Sequence, residues 1–231
     1  MQNIETSCKK KNLADFRNEK KIIFNQSANY LINFFKFLNF KEIYYERQIN
    51  SIYFETKNFD DLLDTINGEK NRSKLRLRWY GTTFNNVAKP ILENKIKTNN
   101  HNYKIKYNLD KVKFKKEITS IFVKNLIKDL DNLNSASKIK FQVRDPNLLV
   151  SYKRRYFMYK GIRITLDTSL KSKDFYRNKK ISEGDFFREK KISIMEIKYK
   201  DEFYKDVRKI TSFFKNRVQK FSKYEYSLLN I

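Results

Sequence analysis

Residues 72–81 read Arg-Ser-Lys-Leu-Arg-Leu-Arg-Trp-Tyr-Gly, with a cation at every second position and Leu75, Leu77 and Trp79 between them. Successive side chains of an extended strand point to opposite faces. The pattern therefore predicts a strand with Arg72, Lys74, Arg76 and Arg78 on one face and an apolar face behind them. Four like charges in register repel one another unless something anionic lies along them. Three further stretches alternate in the same way: Glu93-Asn-Lys95-Ile-Lys97, Arg163-Ile-Thr165-Leu-Asp167, and Glu196-Ile-Lys198 with Met195, Ile197 and Tyr199 on the other parity. One such strand is ordinarily a solvated face. Four, placed side by side, would merge their charged faces into one surface and leave their apolar faces to be covered from outside. A sheet closed on itself, charged within and wrapped by helices, meets both demands.

The remaining periodicity supplies the rest of the elements. Residues 15–24 read as extended and 26–37 as a helix, 42–56 as a strand pair or one bent strand, and 59–66 as a short helix ending at Gly68. A strand is expected at 91–97. Residues 116–133 place Ile118, Ile121, Phe122, Leu126, Leu130 and Leu133 on one side of an amphipathic helix. Further strands are expected at 138–143, 148–157, 161–167 and 191–199, then a helix over 203–218 and a tail over 219–224. With 4 Gly, 2 Pro, no Gly/Pro-rich linker and no repeat, the expectation is a single, mostly antiparallel α+β domain over residues 1–231.

Composition narrows the chemistry. The chain has 231 residues, 40% of them hydrophobic, including 20 Phe and 15 Tyr, which is enough for a sizeable core. Lys and Arg number 51 against 26 Asp and Glu, so a formal net charge of +25 favours anionic partners. A single cysteine, Cys8, excludes an internal disulfide or a cysteine metal site and suits a reducing compartment. The one histidine, His101, sits in a polar run and is expected in an exposed loop. No apolar run approaches the roughly 18 residues of a membrane helix, and the first ten residues lack a signal-peptide core, so a cytoplasmic protein is expected. Four glycines cannot form a glycine-rich phosphate loop, and one histidine cannot supply a pair of metal ligands. Any phosphate chemistry must rest on side-chain cations and a carboxylate-held metal.

These residues resemble the VTC domain of polyphosphate polymerases, a branch of the triphosphate tunnel metalloenzymes related to the CYTH proteins. The likeness is carried, in order, by Phe16-Arg17-Asn-Glu19-Lys-Lys21, Ser51-Ile-Tyr-Phe-Glu-Thr56, the cationic stretch 72–81, and Leu92-Glu93-Asn-Lys95-Ile-Lys97. It continues through Val150-Ser-Tyr152-Lys-Arg154-Arg155-Tyr-Phe157, Arg163-Ile-Thr-Leu-Asp167-Thr168, Met195-Glu196-Ile-Lys198 and Phe221-Ser222-Lys223-Tyr224. The resemblance implies a closed eight-stranded antiparallel β-barrel with flanking helices. Its charged interior would bind a phosphate chain, with Mn²⁺ or Mg²⁺ at a carboxylate. It implies an ATP–polyphosphate phosphotransferase that moves the terminal phosphate of ATP onto inorganic polyphosphate. By position, Lys74, Arg76, Arg78, Lys95, Arg154 and Arg163 take the catalytic phosphate contacts, joined by Lys21, Arg72, Lys198 and Lys223. Glu196 takes the metal, helped by Glu19 or Glu93. Neither a membrane segment nor a specific nucleic-acid partner is implied. Glu55 stands where the family has Asp, and Asn50 where a basic residue is expected. Arg17 replaces the first carboxylate of the CYTH opening motif, which favours the VTC branch. The alternatives are a hydrolase of triphosphate or another phosphate ester with the same tunnel, and a non-enzymatic domain that binds polyphosphate or nucleic acid.

Overall fold

The computed structural model describes residues 18–25, 28–87, 89–99, 102–109, 112–114, 116–128, 139, 141–175, 179–183, 185 and 191–230. Its main sheet is built from β1 (Asn18–Phe24), β2 (Lys41–Glu55), β3 (Arg72–Tyr80), β5 (Ile91–Lys97), β6 (Asn102–Asn108), β9 (Asp145–Tyr159), β10 (Ile162–Asp174) and β12 (Ser193–Tyr199). Every neighbouring pair is antiparallel, in the order β1-β12-β10-β9-β2-β3-β5-β6. Two small ribbons flank it, β4 (Asn85–Val87) with β7 (Val112–Phe114) and β8 (Glu117–Thr119) with β11 (Lys180–Ser182). The helices are α1 (Ala28–Phe37), α2 (Asp60–Ile66), α3 (Ser120–Lys128), α4 (Tyr204–Ser212) and α5 (Lys223–Leu229).

The sheet is open, so the closed eight-stranded barrel expected from the sequence is not formed. β1 and β6 are its two edges and share no ladder among the described residues. A strap of chain, residues 213–222, lies along the free edge of β1. Gln219 N–H donates to the Lys21 carbonyl at 3.0 Å, and Asn216 Nδ2 donates to the Ile23 carbonyl at 2.8 Å. These bonds take up backbone acceptors that barrel closure would have used.

The alternation holds as predicted on either side of the sheet. Leu75, Leu77 and Trp79 face outward into a core with Phe114, Val123 and Ile127. The Trp79 and Phe114 rings lie 5.1 Å apart. Ile22, Ile164, Leu166 and Ile197 face outward into a second core, covered by Leu31 and Phe35 of α1 and by Val207 and Ile210 of α4. A third cluster lies on the inner face, where Ile49, Tyr53, Val150 and Tyr152 are covered by Leu62 of α2 and Tyr224 of α5. The β9–β10 hairpin turns on Lys160 and Gly161 alone, both at positive φ (45° and 83°), the conformation of a two-residue hairpin loop. A Cβ at Gly161 would stand 2.8 Å from the Phe203 ring, so glycine is needed there for space as well as for φ.

Several helix and strand limits differ from expectation. Of residues 116–133, the first turn is the short strand β8, paired with residues 180–182, and α3 buries Val123 and Ile127 while leaving Ile121 exposed. Within 138–143, Ile139, Phe141 and Gln142 are helical rather than extended. The helix expected over 203–218 ends at Ser212, and the tail leads into α5. Cys8, His101 and Arg17 lie outside the described residues.

Candidate functional site

The inner face encloses a cavity of about 720 Å³. Of the expected residues, Lys21, Arg72, Lys74, Arg76, Arg78, Lys95, Arg154, Lys198 and Lys223 line it, with Glu19 and Glu196. They come from β1, β3, β5, β9, β12 and α5, and Lys104 of β6 lines the cavity as well, so both edges of the open sheet contribute to one wall. Arg163 and Glu93 do not line it. Arg163 shares the inner face, in register with Lys198, but pairs on its other side with Met158 near the hairpin, beyond the wall. Glu93 is buried beneath Arg76 and accepts from Arg76 Nε at 2.8 Å and Nη2 at 2.5 Å.

The arginines are held before any ligand arrives. Glu93 fixes Arg76 and lies 3.9 Å from Arg78, which also donates to Ser51 Oγ at 3.2 Å. Arg154 donates through Nε and Nη2 to the two oxygens of Asp167, at 2.5 and 2.6 Å, and Lys223 Nζ lies 2.6 Å from the same carboxylate. Lys74 donates to Ser222 Oγ at 3.0 Å, which ties the strap to the cationic strand. Two-point contacts of this kind orient a guanidinium as well as neutralising it.

Crowding shows in the proton affinities. Burial, reinforced by Lys95 and Arg72, brings the Lys74 ammonium down to about 8. Burial of its ammonium end and the nearby Arg76 bring Lys104, on the edge strand β6, also to about 8. Burial opposes ionisation of the Tyr53 phenol, but Arg76 and Arg78 outweigh it and lower that group to about 8. A bound polyanion would restore the proton to Lys74. Affinity for tripolyphosphate should therefore fall as pH rises above 8, by up to about tenfold per pH unit for each such lysine. Titration calorimetry from pH 7 to 9 measures the slope. Lys74→Arg should flatten it, because a guanidinium stays charged throughout, and an identical slope in that variant would remove Lys74 from the account.

Hard divalent cations take oxygen ligands, often one or two carboxylates together with phosphate oxygens. Glu196 and Glu19 supply that set. Lys198 Nζ bridges them, at 2.8 Å from Glu196 and 3.1 Å from Glu19, and Lys21 lies 2.9 Å from Glu19. Burial alone would raise the Glu196 carboxyl, but Lys198, Arg154 and Lys21 together hold it well below the ordinary range, so it is ionised and available to a cation. No cluster of three acidic, histidine or cysteine side chains exists among the described residues, so a metal here would depend on its substrate's oxygens for further ligands.

Several functional residues escaped sequence reasoning. Asp167 was visible in an alternating stretch but drew no role; its parity with Arg163 was the available signal. Lys104 belongs to a Lys104-Ile-Lys106 alternation of the same kind and lines the cavity. Tyr53, Tyr152 and Ser222 also line it; they lie in the stretches that carry the family resemblance, but their own residue types point to no phosphate contact.

The fold is similar to that of a candidate adenylate cyclase from Bacillus halodurans, with 14% identity over 90% of this chain and 94% of that one and a TM-score of 0.54. A second candidate adenylate cyclase, from Vibrio parahaemolyticus, is 13% identical over 94% of this chain and 99% of that one, with a TM-score of 0.50. At such identities the likeness concerns the fold alone. A search among curated proteins gives no match. An antiparallel sheet whose inner face lines a cationic cavity, with Glu19 and Glu196 on its wall, is the arrangement of the triphosphate tunnel class of folds. Within that class the chain belongs to the VTC domain family, which it matches over residues 14–230. Among the described residues no helix is long and apolar enough to cross a membrane.

Proposed function

We propose that the protein is a polyphosphate polymerase that transfers the terminal phosphate of ATP to the end of an inorganic polyphosphate chain. The observation that carries this reading is the convergence of cations from seven elements on one cavity, where burial and mutual repulsion depress the proton affinity of Lys74 and Lys95. In this reading the bond between the β- and γ-phosphates of ATP breaks at its bridging oxygen. The γ-phosphoryl group joins a terminal oxygen of the acceptor chain, and ADP leaves. Phosphoryl transfer asks a protein for in-line positioning and charge neutralisation more than for covalent help. Arg76 and Arg154, each fixed by a buried carboxylate, orient donor and acceptor phosphates, while Lys74, Lys95 and Lys198 spread positive charge along the chain. Mn²⁺ or Mg²⁺, held by Glu196 with Glu19, would neutralise charge on the phosphate oxygens.

Incubation of the purified protein with ATP and Mn²⁺ or Mg²⁺ tests the proposal. Long acid-labile chains together with ADP are expected. Orthophosphate released from tripolyphosphate without chain growth would show a hydrolase instead, and binding without turnover would show a polyanion-binding domain.

Relief of repulsion gives a simpler readout. Tripolyphosphate at about 100 times its Kd should stabilise the fold by about 2.7 kcal/mol and raise Tm by about 5–10 °C at low salt. Adenosine should not raise it. An unchanged Tm with tripolyphosphate would mean that the cavity does not bind phosphate chains.

A further inference from the structure

Past Arg154 the inner face changes from lysine and arginine to tyrosine. Tyr156 follows Tyr152 and Arg154 on the same parity of β9 and stands in register with Thr165 on one side and Tyr44 on the other. The Tyr44 and Tyr156 rings meet edge to face with centroids 5.5 Å apart. The Arg47 guanidinium lies 4.6 Å from the Tyr44 ring centroid, 5.1 Å from Tyr45 and 5.8 Å from Tyr156.

Tyr44 and Tyr45 are consecutive, and in a regular strand they would point to opposite faces. β2 breaks register on both sides of Tyr44, between Glu42 and Tyr44 and again between Tyr44 and Arg47. Bulges re-aim side chains in this way and concentrate beside active sites. The result is not core packing, because Tyr44 is 50% exposed and Tyr45 77% exposed. Two ring faces have been brought to one guanidinium and left open to solvent.

The same neighbourhood holds three buried polar atoms with no hydrogen-bond partner among the described residues: Arg47 Nε, Arg163 Nε and Thr165 Oγ1. Thr165 is only 4% exposed and lies in register between Tyr156 and Glu196. Buried polar groups are ordinarily satisfied, so these three leave hydrogen-bonding capacity beside the rings that a bound molecule or water would take up. Burial also raises the Tyr156 phenol, which keeps the patch neutral apart from its arginines. A bare phosphate chain is served by the cationic wall and makes no use of exposed rings. A nucleoside has both a flat base and hydroxyl oxygens.

We propose that Tyr44, Tyr45, Arg47 and Tyr156, which lie beside the cavity beyond the Arg154 end of its wall, form a nucleoside subsite, stacking the base of a nucleoside triphosphate whose phosphates reach back toward Arg154 and Glu196. Stacking on tyrosine and guanidinium planes accepts any base, so the site selects nucleotides from bare polyphosphates rather than one nucleotide from another. The proposal rests on the phosphoryl-transfer reading above and adds to it the part of the donor that lies outside the cationic wall.

Titration calorimetry with ATP and with inorganic tripolyphosphate, at equal Mg²⁺, tests it. The double variant Tyr44→Ala, Tyr45→Ala should lose roughly tenfold in affinity for ATP, the worth of a stacked base, and keep its affinity for tripolyphosphate. Tyr44→Phe, Tyr45→Phe preserves the rings and should retain ATP binding. Equal losses for both ligands, or an unchanged affinity for ATP in the alanine variant, would overturn the subsite while leaving the phosphate site standing. If the unaltered protein bound no tripolyphosphate, the proposed function would fail and the subsite with it.

Discussion

Asp167→Ala is expected to cost about 3–5 kcal/mol of folding stability, because it leaves two buried cations without their carboxylate. Asp167 is 1% exposed, and both Arg154 and Lys223 depend on it. In thermal terms the loss corresponds to a fall of roughly 6–20 °C in Tm. Burial opposes ionisation of Asp167, but Arg154 and Lys223 outweigh it and depress its proton affinity in the fold. Its contribution is therefore complete above the unfolded carboxyl value of about 3.9 and fades as pH falls through the lower folded value. Urea denaturation at pH 7 and pH 3 should show the variant and the unaltered protein converging in acid. The freed cations should also bind tripolyphosphate more tightly and recover part of the lost stability. A loss below about 1 kcal/mol, the scale of an exposed pair, would mean that solvent already screens the cluster.

Glu196→Gln should separate binding from turnover. The substitution keeps the shape of the side chain and removes one negative charge from among Lys198, Arg154 and Lys21, so tripolyphosphate should bind at least as tightly. Metal-dependent turnover should fall on the order of 100-fold, as when a metal loses part of its ligand environment. Manganese titration of activity alongside calorimetry distinguishes the two effects. A variant as active as the unaltered protein, with the same manganese dependence, would show that Glu196 serves only to pair Lys198 at 2.8 Å. The metal role would then pass to Glu19.

The cationic face was legible because charge at period 2 is a local signal: Lys74, Arg76 and Arg78 needed only their own strand to be placed. Barrel closure was not legible, because it depends on which backbone groups the strap from 213 to 222 reaches, nearly two hundred residues after β1. Distance in sequence also hid α5. Its anchor, the Tyr224 hydroxyl donating to Glu55 at 2.6 Å, joins residues 169 apart. At 116–119, helical and extended readings both fit the apolar spacing, and pairing with residues 180–182 decided for the strand. Arg163 shows the limit of parity. Period 2 fixed its face correctly but could not say that the cavity wall ends before it.

The two free edges of the sheet bear on how copies of the molecule meet. An unpaired strand edge is a template for another chain, and proteins blunt such edges by covering them or by loading them with lysine. Here the strap covers β1, while β6 carries Lys104 and Lys106 on the inner side of its open edge. Two molecules approaching through β6 would bring these ammonium groups together, each copy already carrying a formal net charge of +25. The lysines that crowd the mouth of the cavity thus also guard against self-association through the sheet, a protection that rising ionic strength would weaken.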